Sequence, residues 1–177
     1  MTKYDYLDTP FGRMLLAAND KGLTGAHFVG QKYYPAEREG WTRDEKALAK
    51  AKKELSEYFE GERAVFTVPL AAEGTPFQKA IWTEIARVRF GETITYAELA
   101  RRAGFPNCAR AAGAATGRNP IGVIVPCHRI LGTNGTLTGY AGGLSKKKAL
   151  LALEGAATAS PSRRRPSRAA AALARPG

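Results

Sequence analysis

The 177-residue chain predicts a mixed α/β (α+β) fold: a small N-terminal β-sheet with one helix, then a mostly helical half containing a helix-turn-helix. Three observations carry that expectation. Two apolar runs flank a glycine-containing turn near the start, and an amphipathic helix pattern follows. Beyond residue 74, two short helix patterns are joined through Gly104-Phe105-Pro106, which suits the helix-turn-helix.

Met14 to Asn19 and Leu23 to Val29 read as strands around Asp20-Lys21-Gly22. Asp44 to Phe59 reads as a helix whose stripe of Leu48, Ala51, Leu55 and Tyr58 or Phe59 faces a core. A short strand is expected over Val65 to Leu70, followed by a boundary at Ala71-Ala72-Glu73-Gly74. Three regions result: an N-terminal α/β domain (1–73), a C-terminal domain (74–155) and a basic, disordered tail (156–177) of Ala, Ser, Pro and Arg.

In the second region Thr75 caps a helix with Pro76 at its first position, and Phe77, Ile81, Trp82 and Ile85 form its apolar face. Thr95-Tyr96-Ala97-Glu98 reads as a capping box opening a helix to about Ala103. Asn107 is the expected cap of the next helix, Cys108 to Thr116. Ile121 to Val125 reads as an apolar strand stopped by Pro126. Ile130-Leu131-Gly132 and Thr136-Leu137-Thr138 flank an Asn-Gly turn signal, Thr133-Asn134-Gly135. Tyr140 to Gly143 reads as a flexible loop whose backbone approaches another group closely. The last helix is expected from a Ser145 cap to Glu154, with Gly155 as its stop.

Composition removes several function classes. No apolar run approaches the roughly 20 residues of a membrane span, and the N-terminus lacks the apolar stretch of a secretory signal. Two cysteines make no disulfide framework, and Cys108, Cys127, His27 and His128 show no paired metal-ligand spacing. A reducing cytoplasm and no metal or cofactor are the expectations. Charge is uneven: residues 1–72 are neutral overall, residues 73–155 carry +6, and the tail adds five arginines. A basic half points to an anionic partner or to solubility alone.

The chemistry centres on Pro126-Cys127-His128-Arg129-Ile130. A thiol with a reference pKa of about 8.5 is mostly protonated at neutral pH, and an imidazole within reach can take its proton to leave a soft nucleophile. A buried structural cysteine beside an exposed histidine is the bland alternative. The helix after Asn107 is smooth: Ala109, Ala111, Ala112, Gly113, Ala114 and Ala115 offer no hydrogen bonds to base edges. Such a helix permits close approach in a DNA minor groove with little sequence preference. Arg110 is its one long side chain, a phosphate contact or a solvated charge. The last helix has its charges reversed against the dipole, with Lys146, Lys147 and Lys148 at its start and Glu154 at its end. Compensation by an anion for the lysines and by a protonated His128 for Glu154 is expected.

From about Gly74 to Gly155 the chain closely resembles the 6-O-methylguanine-DNA methyltransferases. The matching residues are Phe77-Gln78, Trp82, Phe90-Gly91-Glu92-Thr93, Thr95-Tyr96, Ala109-Arg110-Ala111, Gly117-Arg118-Asn119-Pro120, Ile124 to Ile130, Gly139 to Gly143 and Leu150 to Gly155. The resemblance implies a ribonuclease-H-like N-terminal domain. It implies a monomer that acts on double-stranded DNA carrying alkylated guanine, bound through the minor groove, without contact to a membrane. It implies irreversible alkyl transfer from O6-alkylguanine, and from O4-alkylthymine, to the protein's own cysteine.

Roles follow by position. Cys127 would be the acceptor, His128 its base through a bridging water, Glu154 the orienter of the imidazole, and Asn119 a hinge amide. Arg110 would occupy the stack after the damaged nucleotide leaves it, with Tyr96, Gln78 and Thr133 also contacting DNA. Tyr140, Ala141, Ile130 and Tyr96 would line the guanine pocket. Two other classes share parts of this pattern: a non-catalytic alkyl-lesion binder and a Cys-His-Glu hydrolase.

Overall fold

The computed structural model describes residues 1–156, so the basic tail expected from 156 to 177 lies outside the described residues except for Ala156. Strands β1 (Lys3–Thr9), β2 (Gly12–Ala18) and β3 (Leu23–Phe28) pair antiparallel in sequence order. A two-residue strand, β4 (Thr42–Arg43), adds to β1 in parallel, giving the order β3-β2-β1-β4. The apolar runs correctly marked β2 and β3. β1 escaped because its inward position holds Asp5, fully buried, while Tyr4 and Tyr6 are only half-buried. Asp5 is held by Arg43 Nε at 3.0 Å and Lys52 Nζ at 2.7 Å. Burial alone would raise its pKa, but these donors bring it below the ordinary value.

Helix α1 (Glu45–Phe59) starts where Asp44 accepts a hydrogen bond from Ala47 N, and it buries Leu48, Ala51, Leu55, Tyr58 and Phe59 as its pattern requires. It also buries Glu54, and this overturns the strand expected over Val65 to Leu70. The backbone N–H groups of Thr67 and Val68 donate to the Glu54 carboxylate at 2.8 and 3.0 Å instead of entering a ladder. Only Leu70 makes an isolated bridge, to Leu23.

In the second half, α2 (Pro76–Ala86) opens on a complete capping box between Thr75 and Gln78. The box expected at α3 (Tyr96–Arg102) is half formed. Thr95 accepts from Glu98 N, while the Glu98 carboxylate pairs with Arg101 and Arg102. Helix α4 (Ala109–Gly117) is capped at Cys108 rather than Asn107, without a side-chain bond. Helix α5 (Leu144–Leu153) is capped at Gly143 rather than Ser145, because Gly143 at φ +96° turns the chain into the helix two residues earlier.

The apolar run Ile121 to Val125 is not a strand. After one bridge from Ile121 to Ala26 it folds into successive turns, with Val123 at φ +69° and Val125 N donating to Ile121 O at 3.0 Å. Its apolar content reflects complete enclosure, which periodicity cannot tell from a buried strand. Cys127–Arg129 forms a single 3₁₀ turn. β6 (Ile130–Leu131) then pairs in parallel with β5 (Ile94–Thr95), so the hairpin partner expected at Thr136 to Thr138 is not used. The Asn-Gly turn itself stands, with Asn134 and Gly135 both at positive φ.

The halves share one core. Met14 and Leu16 of the sheet, Leu55 and Tyr58 of α1, Ile81 and Trp82 of α2, Leu99, Ala112, Ile121, Val125 and Leu150 belong to a single buried cluster. Burying a large apolar side chain contributes about 1.5–3 kcal/mol each, so this cluster dominates the fold's stability. The edge of β3 is stitched to the segment before Cys127: Ala26 N donates to Pro120 O at 2.8 Å and Gly122 N to Ala26 O at 2.9 Å. The loop that carries Cys127 is thereby fixed to the N-terminal sheet.

Candidate active site

Asn119, just beyond α4, sets the shape of the Cys127 loop. Its amide nitrogen donates to Val125 O at 2.8 Å, and its amide oxygen accepts from Ile121 N at 3.0 Å. One buried side chain thus closes both ends of the turns that precede the cysteine, and couples them to the helix Ala109–Gly117. Asp could not reproduce this, since an ionised carboxylate has no donor.

Cys127 is buried, and burial pushes its thiol up, while the Asn119 amide and the Lys147 ammonium act against that shift. His128 is fully buried beside it in sequence, its Nε2 2.7 Å from Glu154 Oε2. Glu154 receives three further donors: Tyr58 OH on Oε2, Arg129 Nε on Oε1 at 2.8 Å and Arg129 Nη2 on Oε2 at 2.9 Å. Burial would raise the Glu154 pKa, but His128 and Arg129 outweigh it and hold the carboxyl well below the usual range. Glu154 is therefore ionised and can only accept. The Nε2 of His128 carries the proton, and Nδ1 is left as the basic atom. Nδ1 is buried with no hydrogen-bond partner among the described residues. Burial lowers the His128 pKa below 6.5 despite Glu154, so the imidazole is neutral at pH 7.

The expected compensation of reversed helix charges is corrected in part. The permanent cation against Glu154 is Arg129, not a protonated His128. Lys147 is balanced by carbonyls rather than an anion: Nζ donates to Ile130 O at 2.6 Å, Thr138 O at 2.7 Å and Gly139 O at 3.2 Å. Burial lowers its pKa to about 8, with Cys127 pulling the other way. A fixed ammonium near the sulfur favours the thiolate when it forms.

A cavity of about 300 Å³ opens on Cys127. Its walls are Tyr96, Gly113, Ala114, Thr116 and Gly117 on the α4 side, Gly139, Tyr140 and Ala141 on the loop, and Lys32 and Tyr33 from the N-terminal half. The loop approaches closely where expected, though what it packs on is Tyr140 itself: a Cβ on Gly142 would stand 2.8 Å from Tyr140 Cε2. Burial raises the pKa of Tyr96 and, far more, of Tyr140, so both phenols keep their protons as hydrogen-bond donors. Arg110, Ala111, Ala114 and Arg118 lie along the exposed side of α4, with Ala114 also on the cavity wall, a smooth stripe with a guanidinium at each end.

The residues singled out in the sequence fall into two groups. His128 pairs with Glu154, the Asn119 amide lies against the Cys127 sulfur, and Tyr96, Tyr140 and Ala141 line the cavity with that sulfur. Ile130, expected in the pocket, is fully buried and does not line the cavity, and its carbonyl accepts from Lys147. Arg110 is exposed on the first turn of α4, and Thr133 is exposed in the turn after β6. Gln78 is engaged in the α2 cap, its Oε1 accepting from Thr75 N at 3.0 Å. Sequence reasoning missed the site roles of Arg129, Lys147, Tyr58, Lys32 and Tyr33. Lys147 had left a trace, a cation at the wrong end of a helix. The hydroxyl of Tyr58 meets Glu154 across 96 positions, which no local pattern reveals.

The pKa directions fix the sign of a pH effect on stability. His128 and Glu154 both bind protons more weakly folded than unfolded, so the unfolded state gains protons as pH falls. Stability is expected to fall below pH 6.5 as unfolded-state histidine protonates, and more steeply below 4.5. Urea midpoints measured from pH 8 to 4 check this. His27, whose pKa burial lowers to about 4, adds to the same upper step. A His128→Gln variant should therefore shrink that step, and a His27→Gln/His128→Gln double variant should lose it.

Comparison with known proteins agrees with this geometry. Residues 76–156 match the family model described as 6-O-methylguanine DNA methyltransferase, DNA binding domain, and residues 2–72 match its ribonuclease-like domain. A methylated-DNA–protein-cysteine methyltransferase of Mycolicibacterium paratuberculosis is 45% identical over 154 residues, 87% of this chain and 93% of the relative. One of Methanosarcina acetivorans is 45% identical over 152 residues, 86% of this chain and 97% of the relative. The crystal structure of Mycobacterium tuberculosis OGT in complex with DNA superposes with a TM-score of 0.80 at 42% identity, covering 85% of this chain and 91% of that one. With both halves matched in order and the relatives covered almost end to end, the chain belongs to the 6-O-methylguanine DNA methyltransferase family.

Proposed function

We propose that the protein repairs alkylated DNA by transferring the alkyl group from guanine O6, and from thymine O4, to Cys127. The observation that carries this reading is the orientation of His128. Its Nε2 is held by an ionised Glu154 and its buried Nδ1 has no partner among the described residues, while the sulfur of the preceding residue opens on the cavity.

The thiol proton passes to His128 Nδ1, through a bridging water, and the Cys127 sulfur attacks the alkyl carbon in line. The carbon–sulfur bond forms as the carbon–O6 bond breaks, and the proton taken from the thiol is passed on to the leaving guanine, so the alkyl group replaces the thiol proton on the protein. Glu154 stays ionised and stabilises the imidazolium, while Lys147 stabilises the thiolate. The hydroxyls of Tyr96 and Tyr140 and the Ala141 N–H supply donors for the charge that develops on the base.

The carbon is buried in a stacked duplex, so the nucleotide must be extruded at a cost of a few kcal/mol. Arg110 fills the vacated stack, the smooth stripe of α4 lies in the minor groove, and Gln78 and Thr133 contact the strand. One monomer acts per lesion, in a reducing cytoplasm that keeps the thiol free. Among the described residues no helix is long and apolar enough to cross a membrane.

A thioether, unlike a thioester, is not released by water. With duplex DNA labelled on the O6 methyl group, label on the protein should rise linearly with added protein and stop at one per chain. Release of label with repeated turnover would instead support a Cys-His-Glu hydrolase, and retention of label on the DNA a lesion binder.

A further inference from the structure

Lys32 and Tyr33 come from the loop after β3 in the N-terminal half, yet they wall the cavity that holds Cys127. That wall is built rather than incidental. Lys32 N donates to Ala141 O at 3.0 Å, tying the loop to the other side of the cavity. The Arg118 guanidinium, at the end of α4, lies over the Tyr33 ring at 4.0 Å. The loop's base is closed by Phe28 N donating to Gln31 Oε1 at 2.9 Å and by Tyr34 N donating to Gln31 O at 3.1 Å. Tyr33 itself sits at φ +60°, a left-handed conformation that a bulky residue adopts only when its surroundings impose it.

The enclosed volume makes such a wall matter. About 300 Å³ is at the lower end of the roughly 300–1,000 Å³ of small-ligand sites. The walls therefore bear on how large a substituent can lie beside the purine in front of the sulfur. The α4 wall is backbone of a packed helix, and the sulfur's own loop is locked by Asn119. The Tyr33 ring is the wall that can yield, since it is 47% exposed and held by cations over its face, Arg118 at 4.0 Å and the more distant Lys32 Nζ at 5.1 Å, with its loop tied by the Lys32 backbone hydrogen bond.

We propose that Tyr33, clamped by Arg118, is a specificity-determining residue that limits the size of the alkyl group delivered to Cys127. The inference rests on alkyl transfer to that cysteine. It is tested with free bases, which remove DNA binding from the comparison: second-order rate constants for Cys127 alkylation by O6-methylguanine and O6-benzylguanine, read by intact-protein mass. Tyr33→Ala should raise the benzyl-to-methyl ratio about tenfold, and Arg118→Leu should raise it in the same direction by releasing the ring. Tyr33→Trp should lower it. Thermal unfolding shows whether each variant is folded, and the two exposed-side changes in opposite directions keep the test decisive if one is not. A ratio unchanged within twofold in the folded variants, or lowered by Tyr33→Ala, overturns the proposal. Failure of either base to alkylate the parent protein would refute the transfer reading instead.

Discussion

Glu154→Gln is expected to lose both stability and alkyl transfer, and by separable amounts. The carboxylate accepts from Tyr58, His128 and twice from Arg129, all at buried positions. An amide has one acceptor oxygen and no charge, so Arg129 is left as an unpaired buried cation. Breaking a buried pair from one side costs about 3–5 kcal/mol, a large share of a stability that for most domains is about 5–15 kcal/mol. The loss for the chemistry is of another kind: the imidazolium that must form beside the sulfur no longer has an anion facing it. A positioned base contributes roughly 10²–10⁴-fold to such proton transfers, and a slowing of about that order is expected. The double variant Glu154→Gln/Arg129→Met separates the two, because it removes both buried charges. Denaturation midpoints should recover much of the parent value in the double variant, whereas the methyl-transfer rate should stay low. Recovery of both would reduce Glu154 to a structural role.

Arg110→Ala should slow repair in duplex DNA about 100-fold while transfer from free O6-methylguanine falls far less. Arg110 is exposed on the first turn of α4 and is not among the residues that line the cavity, so no part in the bond exchange is assigned to it. Its proposed work is to fill the stack, offsetting an extrusion cost of a few kcal/mol, of which each 1.4 kcal/mol lost is tenfold in rate. Rates on duplex, single-stranded and free-base substrates measure it. A single-stranded oligonucleotide should fall between, because it is already partly unstacked. Equal losses on all three would remove Arg110 from the flipping step.

What could be read in advance followed from local physics. The stripe of Leu48, Ala51 and Leu55, the Thr75-Pro76 helix start and the Asn134-Gly135 turn are each decided within a few residues, and each stands in the structure. The pairing of Cys127 with His128 was legible from their adjacency and that of His128 with Glu154 from the reversed charges of the last helix, and the resemblance then implied the role of each. Failures cluster where a distant buried group redirects the backbone. Glu54 takes the N–H groups that would have made a strand at Thr67 and Val68, and Asn119 turns the run before Cys127. The pairing of Asp5 with Arg43 and Lys52 inverted the pattern of β1 in the same way. Arg129 stayed hidden as a site residue because a satisfied buried charge reads locally as an ordinary polar position, and Tyr58 because its partner lies 96 positions away.

The central claim is that Cys127 keeps the carbon it removes. After the protein meets an equimolar duplex bearing O6-methylguanine, proteolytic peptides should be mapped by mass, with Cys108 as the internal control. One added methyl group is expected on the peptide containing Cys127, none on the peptide containing Cys108, and unmodified guanine in the recovered DNA. An unmodified Cys127 peptide from a reaction in which the lesion has disappeared would contradict the account, as would a methyl group on Cys108 alone.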